Sequence, residues 1–174
     1  MNRGPAMGED TSIRRLRKVM EVRARPEEVF RWLDDSLNTG SHMRGGSMGV
    51  KLTMETLPKN RTGVGATHRW HGKAMGFTVD YTTVVTDWER NREKAYHTVG
   101  DPNMVIMSGF EMRWTLDPTD PGTRVTIELG YHPPRSWIGR FLSTIVGRRY
   151  GDWCLNMMLG DARKDLAAFP STAA

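Results

Sequence analysis

Short stretches in which apolar or β-branched residues alternate with polar ones fill the middle of the chain. This alternation is typical of β-strands with one buried face. Segments rich in Gly, Pro, Asn or charged residues separate the stretches and predict turns. The predicted strands cover residues 50–57, 63–74, 77–88, 93–99, 104–116 and 123–131. Because short turns join antiparallel neighbours, these strands predict one curved antiparallel sheet.

A further strand and a short helix are predicted before this series. Residues 13–24 mix apolar and charged positions in a way that favours a strand. A helix is predicted to follow, because Pro26 suits the first helical position and the acidic residues after it are favoured by the helix dipole. A polar cluster at residues 34–40 ends this helix, and the glycines within residues 42–49 predict a flexible loop whose role the sequence leaves open.

After the last predicted strand, apolar residues recur at steps of three and four, as they do on one face of a helix. This pattern predicts a long amphipathic helix over residues 136–169. Gly147 and Gly151 lie in its middle, where glycine favours a bend or fraying. The spacing of apolar residues therefore changes near Pro133, from every second residue, as in a strand, to every third or fourth residue, as in a helix.

Strand alternation also predicts which side chains face the interior. In the second predicted strand of the series, Arg69 and Lys73 are expected in solvent. The inward set of that strand is Val64, Ala66, His68 and Trp70. The inward sets of three other strands are Val50, Leu52 and Met54, then Met104, Ile106, Ser108, Phe110, Met112 and Trp114, then Val125, Ile127, Leu129 and Tyr131. Residues 77–88 allow two registers, of which we favour the more apolar set Val79, Tyr81, Thr83 and Val85.

Composition bounds the domain organisation and the class of protein. The 174 residues are 38% hydrophobic and 26% charged, a mixture typical of a soluble globular chain. We predict one domain at residues 12–170, between a disordered or loosely ordered tail at residues 1–11 and a short tail at residues 171–174. The single cysteine, the absence of a signal-peptide pattern and the absence of a run of about 20 apolar residues predict a cytoplasmic protein without a transmembrane helix.

The net charge of +5 favours anionic partners only weakly. Two arginine clusters could contact nucleic acid or anionic lipid headgroups. The first consists of Arg14, Arg15 and Arg17, and the second of Arg148 and Arg149. No nucleic-acid-binding motif accompanies them, so we expect no specific nucleic-acid binding. Peripheral contact with an anionic membrane stays open, and the oligomeric state is not determined by the sequence.

Several segments of the chain carry a resemblance to a known family. They are ARPEEVF at residues 24–30, WLDD at 32–35, GVGATHRW at 63–70, GTRVT at 122–126, and the terminal helix. Together with the order of the elements, they make the chain resemble the SRPBCC superfamily, in particular its START-like and polyketide cyclase/dehydrase group. The resemblance covers about residues 12–169.

This resemblance implies an α+β helix-grip fold, in which a curved antiparallel sheet wraps around a long C-terminal helix and short helices follow the first strand. It also implies a deep, largely apolar cavity between the sheet and the helix, used for lipids, polyketides, quinones or hormones. The family has no universal catalytic residue, so the candidate site residues come from the sequence itself.

His68 is the main candidate for catalysis, since an imidazole on an inward strand face can act as a general acid or base near neutral pH. Its alternative is a histidine that packs in the core. Tyr81 or Ser108 would donate a hydrogen bond to a substrate oxygen. His68 and His71 point to opposite faces of a strand, so we expect no metal site, and no nucleotide motif indicates a cofactor.

The candidate ligand-binding residues are apolar side chains expected to face the cavity. They are Met54, Trp70, Phe110, Met112, Trp114, Tyr131, Trp153 and Met157. Aromatic rings suit flat ligands, and methionines adapt to irregular ones, although both residue types also fill cores without a ligand. Cys154 is expected to pack as a small apolar residue.

Three functions remain open from the sequence. The first is the binding of an apolar small molecule between the sheet and the last helix. The second is a cyclase or dehydratase reaction in which His68 exchanges a proton with a carbonyl-bearing substrate. The third is a partner-binding or co-chaperone module that uses the outer face of the sheet and the arginines.

Overall fold

The computed structural model describes residues 13–44, 49–57, 62–74, 76–104, 106–134 and 148–168. The strands are β1 (Arg14–Val22), β2 (Val50–Thr56), β3 (Thr67–Ala74), β4 (Phe77–Glu89), β5 (Glu93–Asn103), β6 (Gly109–Thr119) and β7 (Gly122–His132). The helices are α1 (Pro26–Asp34), α2 (Ser36–Thr39), α3 (Ser41–Arg44) and α4 (Arg148–Ala168). The fold is the predicted α+β helix-grip arrangement, with α4 at its C-terminal end.

All seven strands form one antiparallel sheet in the order β1-β7-β6-β5-β4-β3-β2. The strands from β2 to β7 therefore lie beside their neighbours in the chain, as predicted. β1 pairs with β7 along its whole length, from Arg14 opposite Tyr131 to Val22 opposite Thr123. The inner face of the sheet and α4 share one hydrophobic core, in which Ile127 and Leu155 are fully buried.

α1 begins where the sequence predicts. Pro26 occupies its first turn, and the Glu28 carboxylate accepts a hydrogen bond from the Arg25 backbone N–H at 3.0 Å. This contact satisfies a backbone donor that the start of a helix leaves unpaired. The Trp32 indole N–H donates to the Asp165 carboxylate at 3.0 Å and ties α1 to α4.

α1 ends in the predicted polar cluster, which also contains the single-turn helix α2. The flexible loop predicted over residues 42–49 is wrong for residues 42–44, which belong to the single-turn helix α3. The Asp35 carboxylate accepts from the Leu37 backbone N–H at 2.8 Å and caps α2. The Ser41 hydroxyl donates to the Asp161 carboxylate of α4 at 2.9 Å. Residues 45–48 of the predicted loop lie outside the described residues.

β3 is shorter than predicted, because Gly63 and Gly65 have φ angles of +81° and +85° and form a turn that a strand cannot continue through. Val64 lies in this turn and is 59% exposed, so its predicted inward position is wrong. The other three residues of that set, Ala66, His68 and Trp70, are buried as predicted.

The register of β4 is the one favoured from the sequence, with Val79, Tyr81, Thr83 and Val85 buried. β5 continues to Asn103 rather than ending at residue 99, because a register shift against β4 between Asp80 and Thr82 takes up the extra residues as a bulge. The predicted strand 104–116 correspondingly begins later, at Gly109. Met104 and Ile106 thus lie in the connection before β6.

α4 covers Arg148–Ala168, and the earlier part of the predicted helix, residues 136–147, lies outside the described residues. The predicted tails lie outside them as well. Gly151 is buried against β1, where a Cβ atom would lie 2.5 Å from the Leu16 Cδ1 atom. The glycine therefore allows α4 to approach the sheet closely. No helix in the described ranges has the length and apolar character needed to cross a bilayer.

Candidate functional site

A cavity of about 130 Å³ lies between the inner face of the sheet, α2, α3 and α4. Strands from β2 to β7 and the connection before β6 contribute to its walls. Most of the lining is apolar, and the hydroxyl groups of Tyr81, Tyr96 and Tyr150 are among its few polar groups. We refer to it as the tyrosine cavity. Its position between sheet and helix is the one that the family resemblance implies.

The hydroxyls of Tyr81 and Tyr96 each donate a hydrogen bond to a sulfur atom. Tyr81 donates to Met43 Sδ at 3.7 Å, and Tyr96 donates to Met112 Sδ at 2.9 Å. Tyr150 lies one helical turn before Cys154, on the same helix. Sulfur is a weak acceptor, so these buried donors are satisfied only weakly.

Four ionisable groups belong to the described lining of the cavity, and all four are uncharged at neutral pH. Burial raises the pKa of Tyr81, Tyr96 and Tyr150 well above the ordinary value for a phenol. Burial likewise raises the pKa of Cys154 to about 12, although the nearby Tyr150 hydroxyl acts in the opposite direction. The cavity therefore offers neutral hydrogen-bond donors on an apolar surface.

Four of the predicted site residues come together in this cavity, namely Trp70, Tyr81, Phe110 and Met112. The rings of Tyr81 and Phe110 meet edge to face, with centroids 5.7 Å apart. Trp70 packs against Gly40, at the junction of α2 and α3. These contacts join the sheet to the short helices and fix the shape of one wall.

Five other predicted site residues line neither the tyrosine cavity nor the second cavity described below. Trp114 and Tyr131 are each 1% exposed and belong to the core, where Trp114 meets Phe30 edge to face at 5.3 Å. Trp153 and Met157 are half-buried on α4. The Ser108 hydroxyl donates to the Pro133 carbonyl at 3.1 Å.

His68 and Met54 lie in a different place, a second cavity of about 680 Å³ that we refer to as the histidine cavity. It lies between α1, the start of α2, β2, β3 and the turn that joins β4 to β5. His68 Nδ1 lies 3.3 Å from the Thr56 hydroxyl oxygen. Burial lowers the pKa of His68, and the nearby Lys94 ammonium lowers it further, so the imidazole is neutral at pH 7.

Lys94 is itself buried and pairs with Asp34. Its ammonium group donates to the Asp34 carboxylate at 2.8 Å and to the Asp34 backbone carbonyl at 2.9 Å. The Trp88 indole N–H donates to the same carboxylate oxygen at 3.1 Å. This network fixes the C-terminal end of α1 on β4 and β5.

Sequence reasoning missed Tyr96 and Tyr150 as site residues, and treated Cys154 only as a packing residue. A signal existed for Tyr150, because it precedes Cys154 by four residues and so shares its helix face. Tyr96 pairs with Met112 across β5 and β6, a register that the sequence could not assign.

The predicted arginine cluster of β1 takes part in ion pairs on the outer face of the sheet. Arg15 pairs with Glu111 at 3.2 Å and Arg17 with Glu128 at 3.4 Å. On the same side, His71 Nε2 lies 3.0 Å from Glu55, away from His68. Within the described ranges, no group of three His, Cys, Asp or Glu side chains could hold a metal ion.

Comparison with known families gives one match. Residues 14–157 match the family described as polyketide cyclase / dehydrase and lipid transport. No curated protein sequence matches the chain.

Several solved structures share the fold. A protein from Thermus thermophilus is 19% identical with a TM-score of 0.68, covering 89% of this chain and 98% of its own. The Zhui aromatase/cyclase from a Streptomyces species is 17% identical with a TM-score of 0.66, covering 93% and 99%. A norcoclaurine synthase point mutant from Thalictrum flavum, in complex with a transition-state analogue, is 13% identical with a TM-score of 0.62, covering 90% and 95%. At these identities the likeness establishes a common fold.

Proposed function

This chain belongs to the polyketide cyclase/dehydrase and lipid transport family, and we propose that it binds a small apolar molecule carrying an oxygen atom in the tyrosine cavity. The observation that carries the proposal is the pairing of two tyrosine hydroxyls of the cavity, those of Tyr81 and Tyr96, with sulfur atoms. Family membership supports ligand binding or cyclase activity in general, and the cavity supports this particular class of ligand.

The argument rests on the difference between sulfur and oxygen as acceptors. Buried hydroxyl groups in proteins are normally hydrogen-bonded, and a thioether is a poor partner for them. A carbonyl oxygen that entered the cavity could replace Met43 or Met112 as the acceptor. Because Tyr81 and Tyr96 stay protonated, they would donate to this oxygen at any ordinary pH. The remaining apolar lining would contact the ligand skeleton.

The size of the cavity limits what can enter without rearrangement. A volume of about 130 Å³ is close to that of an engineered cavity of about 150 Å³ that binds benzene. One aromatic ring therefore fits directly. Larger ligands require side chains to move, and the lining methionines Met104, Met107 and Met158 have several flexible torsions that permit this.

Two measurements test the proposal. Native mass spectrometry of the purified protein should detect a co-purified neutral molecule. Calorimetry with 1-indanone and with indane, which lacks the carbonyl, should show that both bind and that 1-indanone binds more tightly. We expect Tyr81→Phe to weaken 1-indanone binding about tenfold, the effect of one neutral hydrogen bond, and to leave indane binding unchanged.

Tyr131→Phe is the matched control, because it removes the same hydroxyl from a buried residue outside the cavity lining. It should leave the affinity of both probes unchanged. If neither probe binds and no molecule co-purifies, the proposed function is wrong.

A cyclase or dehydratase reaction is the second function that we propose. The similarity in fold to an aromatase/cyclase supports it, as do hydroxyl donors that could polarise a substrate carbonyl. Within the tyrosine cavity, Tyr81 is the proposed donor. The alternative role of His68 as general acid or base requires a substrate that reaches the histidine cavity.

Deuterium exchange at the carbon beside the carbonyl of 1-indanone tests this reaction type, because it reports enolisation directly. In this step a water molecule would take the proton from that carbon while the Tyr81 hydroxyl gives its proton to the carbonyl oxygen. We expect the protein to accelerate exchange over buffer. Tyr81→Phe should lower the rate by roughly two orders of magnitude, as expected for loss of a general acid. His68→Gln should leave the rate unchanged. Exchange no faster than in buffer would argue against catalysis while leaving ligand binding intact.

A further inference from the structure

The histidine cavity is separate from the tyrosine cavity. Among the described residues that line them, the two cavities share only Ser36, at the start of α2. The volume of about 680 Å³ falls within the range of about 300–1,000 Å³ that is usual for small-molecule sites. The concave face of the sheet thus carries a second space large enough for a ligand.

The floor of the histidine cavity contains a buried nitrogen without a partner. His68 is 8% exposed, and its Nδ1 atom faces the Thr56 hydroxyl at 3.3 Å. Its Nε2 atom has no hydrogen-bond partner within the described part of the chain. Because buried polar atoms are normally satisfied, this nitrogen indicates a partner that enters from the cavity.

Asp34 adds a second acceptor to the lining of the same cavity. One carboxylate oxygen, Oδ1, accepts from both Lys94 and Trp88. The other oxygen, Oδ2, has no partner among the described residues. The Lys94 ammonium balances the charge of this carboxylate, so the floor accepts hydrogen bonds without net charge. A cationic ligand would be repelled by the buried Lys94 ammonium behind Asp34, and an anionic ligand would be repelled by the Asp34 carboxylate.

The walls of the cavity are aromatic and apolar. Phe30 and Trp88 meet edge to face with ring centroids 5.4 Å apart, and Met54 and Leu37 also line the space. Such surfaces suit a flat ring. The charges at the rim cancel, so the rim favours neither a cationic nor an anionic ligand. The rim residues are the acidic Glu27 and Asp35 and the basic Arg31 and Arg90.

We propose that the histidine cavity is a second binding site, specific for an uncharged aromatic molecule that carries an O–H or N–H donor. The donor group would bond to Asp34 Oδ2, or to His68 Nε2 in the tautomer whose Nδ1–H donates to the Thr56 hydroxyl. The ring would pack against the lining formed by Phe30 and Trp88. This site is independent of the ligand proposed for the tyrosine cavity.

The test uses the full chain and two probes, 2-naphthol and 2-methoxynaphthalene, which share a ring system but differ in the donor. Nitrogen-15 NMR of the histidine side chains reports on His68 directly. We expect 2-naphthol to shift the His68 Nε2 resonance in a saturable way. The methoxy compound should bind this site at least about tenfold more weakly, because it cannot donate.

Met54→Trp should narrow the histidine cavity and weaken the binding that the His68 shift reports at least about tenfold, while carbon-13 methyl signals of Met43 and Met112 still report on the tyrosine cavity. This variant keeps His68, which supplies the NMR signal. Tyr81→Phe is the control and should leave the His68 response unchanged. An unchanged His68 resonance at saturating 2-naphthol, or equal binding of the two probes at this site, would overturn the proposal.

Discussion

The Trp70 indole packs directly on Gly40, so that a Cβ atom at position 40 would lie 2.1 Å from the Trp70 Cη2 atom. Gly40 has a φ angle of −97°, which other residues adopt without strain, so the position requires glycine for space rather than for backbone freedom. This contact sets the distance between β3 and the junction of α2 and α3. It therefore fixes one wall of the tyrosine cavity.

Gly40→Ala should destabilise the protein and disturb this wall. The added methyl group must displace the Trp70 ring, and overpacking of this kind costs about 1–3 kcal/mol. Urea denaturation followed by tryptophan fluorescence measures the loss, and calorimetry with 1-indanone should show weaker binding. The matched control is Gly160→Ala in α4, where a Cβ meets nothing within 4 Å. There the better helix propensity of alanine should stabilise the protein by up to about 1 kcal/mol.

Lys94→Met should be strongly destabilising, because it leaves the Asp34 carboxylate without its buried countercharge. The side chains are 5% and 18% exposed, and breaking a buried pair of this kind costs about 3–5 kcal/mol. The double variant Lys94→Met with Asp34→Asn should recover part of the loss. As control, Arg17→Met breaks an exposed pair with Glu128 and should cost less than about 1 kcal/mol. Equal losses in equilibrium unfolding would contradict this interpretation.

Stability should fall in acid in a way that depends on His68. Burial and the nearby Lys94 ammonium lower the folded-state pKa of His68 below the ordinary histidine value of 6.5. The unfolded chain therefore binds the proton more readily than the folded chain. The contribution of neutral His68 to the free energy of unfolding is fully present above about pH 6.5, and it is lost as pH falls toward the lowered folded-state pKa. The charged groups that act on the His68 ring are Lys94, Asp34 and Asp35. All three are retained in His68→Gln, so this variant removes only the titration of the imidazole. Urea midpoints of this variant should therefore decline less than wild type between pH 6.5 and 5; parallel declines would refute the assignment.

The Cys154 thiol should be nearly inert in the folded protein. With a pKa raised to about 12, its thiolate fraction at pH 8 is on the order of a thousandfold below that of a free cysteine. Iodoacetamide should modify it rapidly only in urea, as intact-mass spectrometry can follow. Saturating 1-indanone should slow the native reaction further. Rapid native alkylation would show that the cavity is open and the thiol solvated.

Several features were predictable because they depend on local pattern. The alternation in β4 identified Val79, Tyr81 and Thr83 as inward-facing, and Pro26 marked the start of α1. The misassignments arose where one residue changes the backbone locally, as at Val64, or where a segment folds against another element. Ser41, for example, bonds to Asp161 far along the chain, and this contact holds α3 in place of the predicted loop.

The sequence by itself determined the order of strands and helices, and which side of the sheet is buried, because the period of two along a strand is a property of neighbouring residues. Only the tertiary structure decided what covers that buried side. His68 and Trp70 are two residues apart and face the same way, yet they line different cavities, since α1 and α2 cover the concave face between them. The Tyr81–Met43 and Tyr96–Met112 contacts likewise depend on helix docking and strand register, which are set by packing between segments distant in the chain.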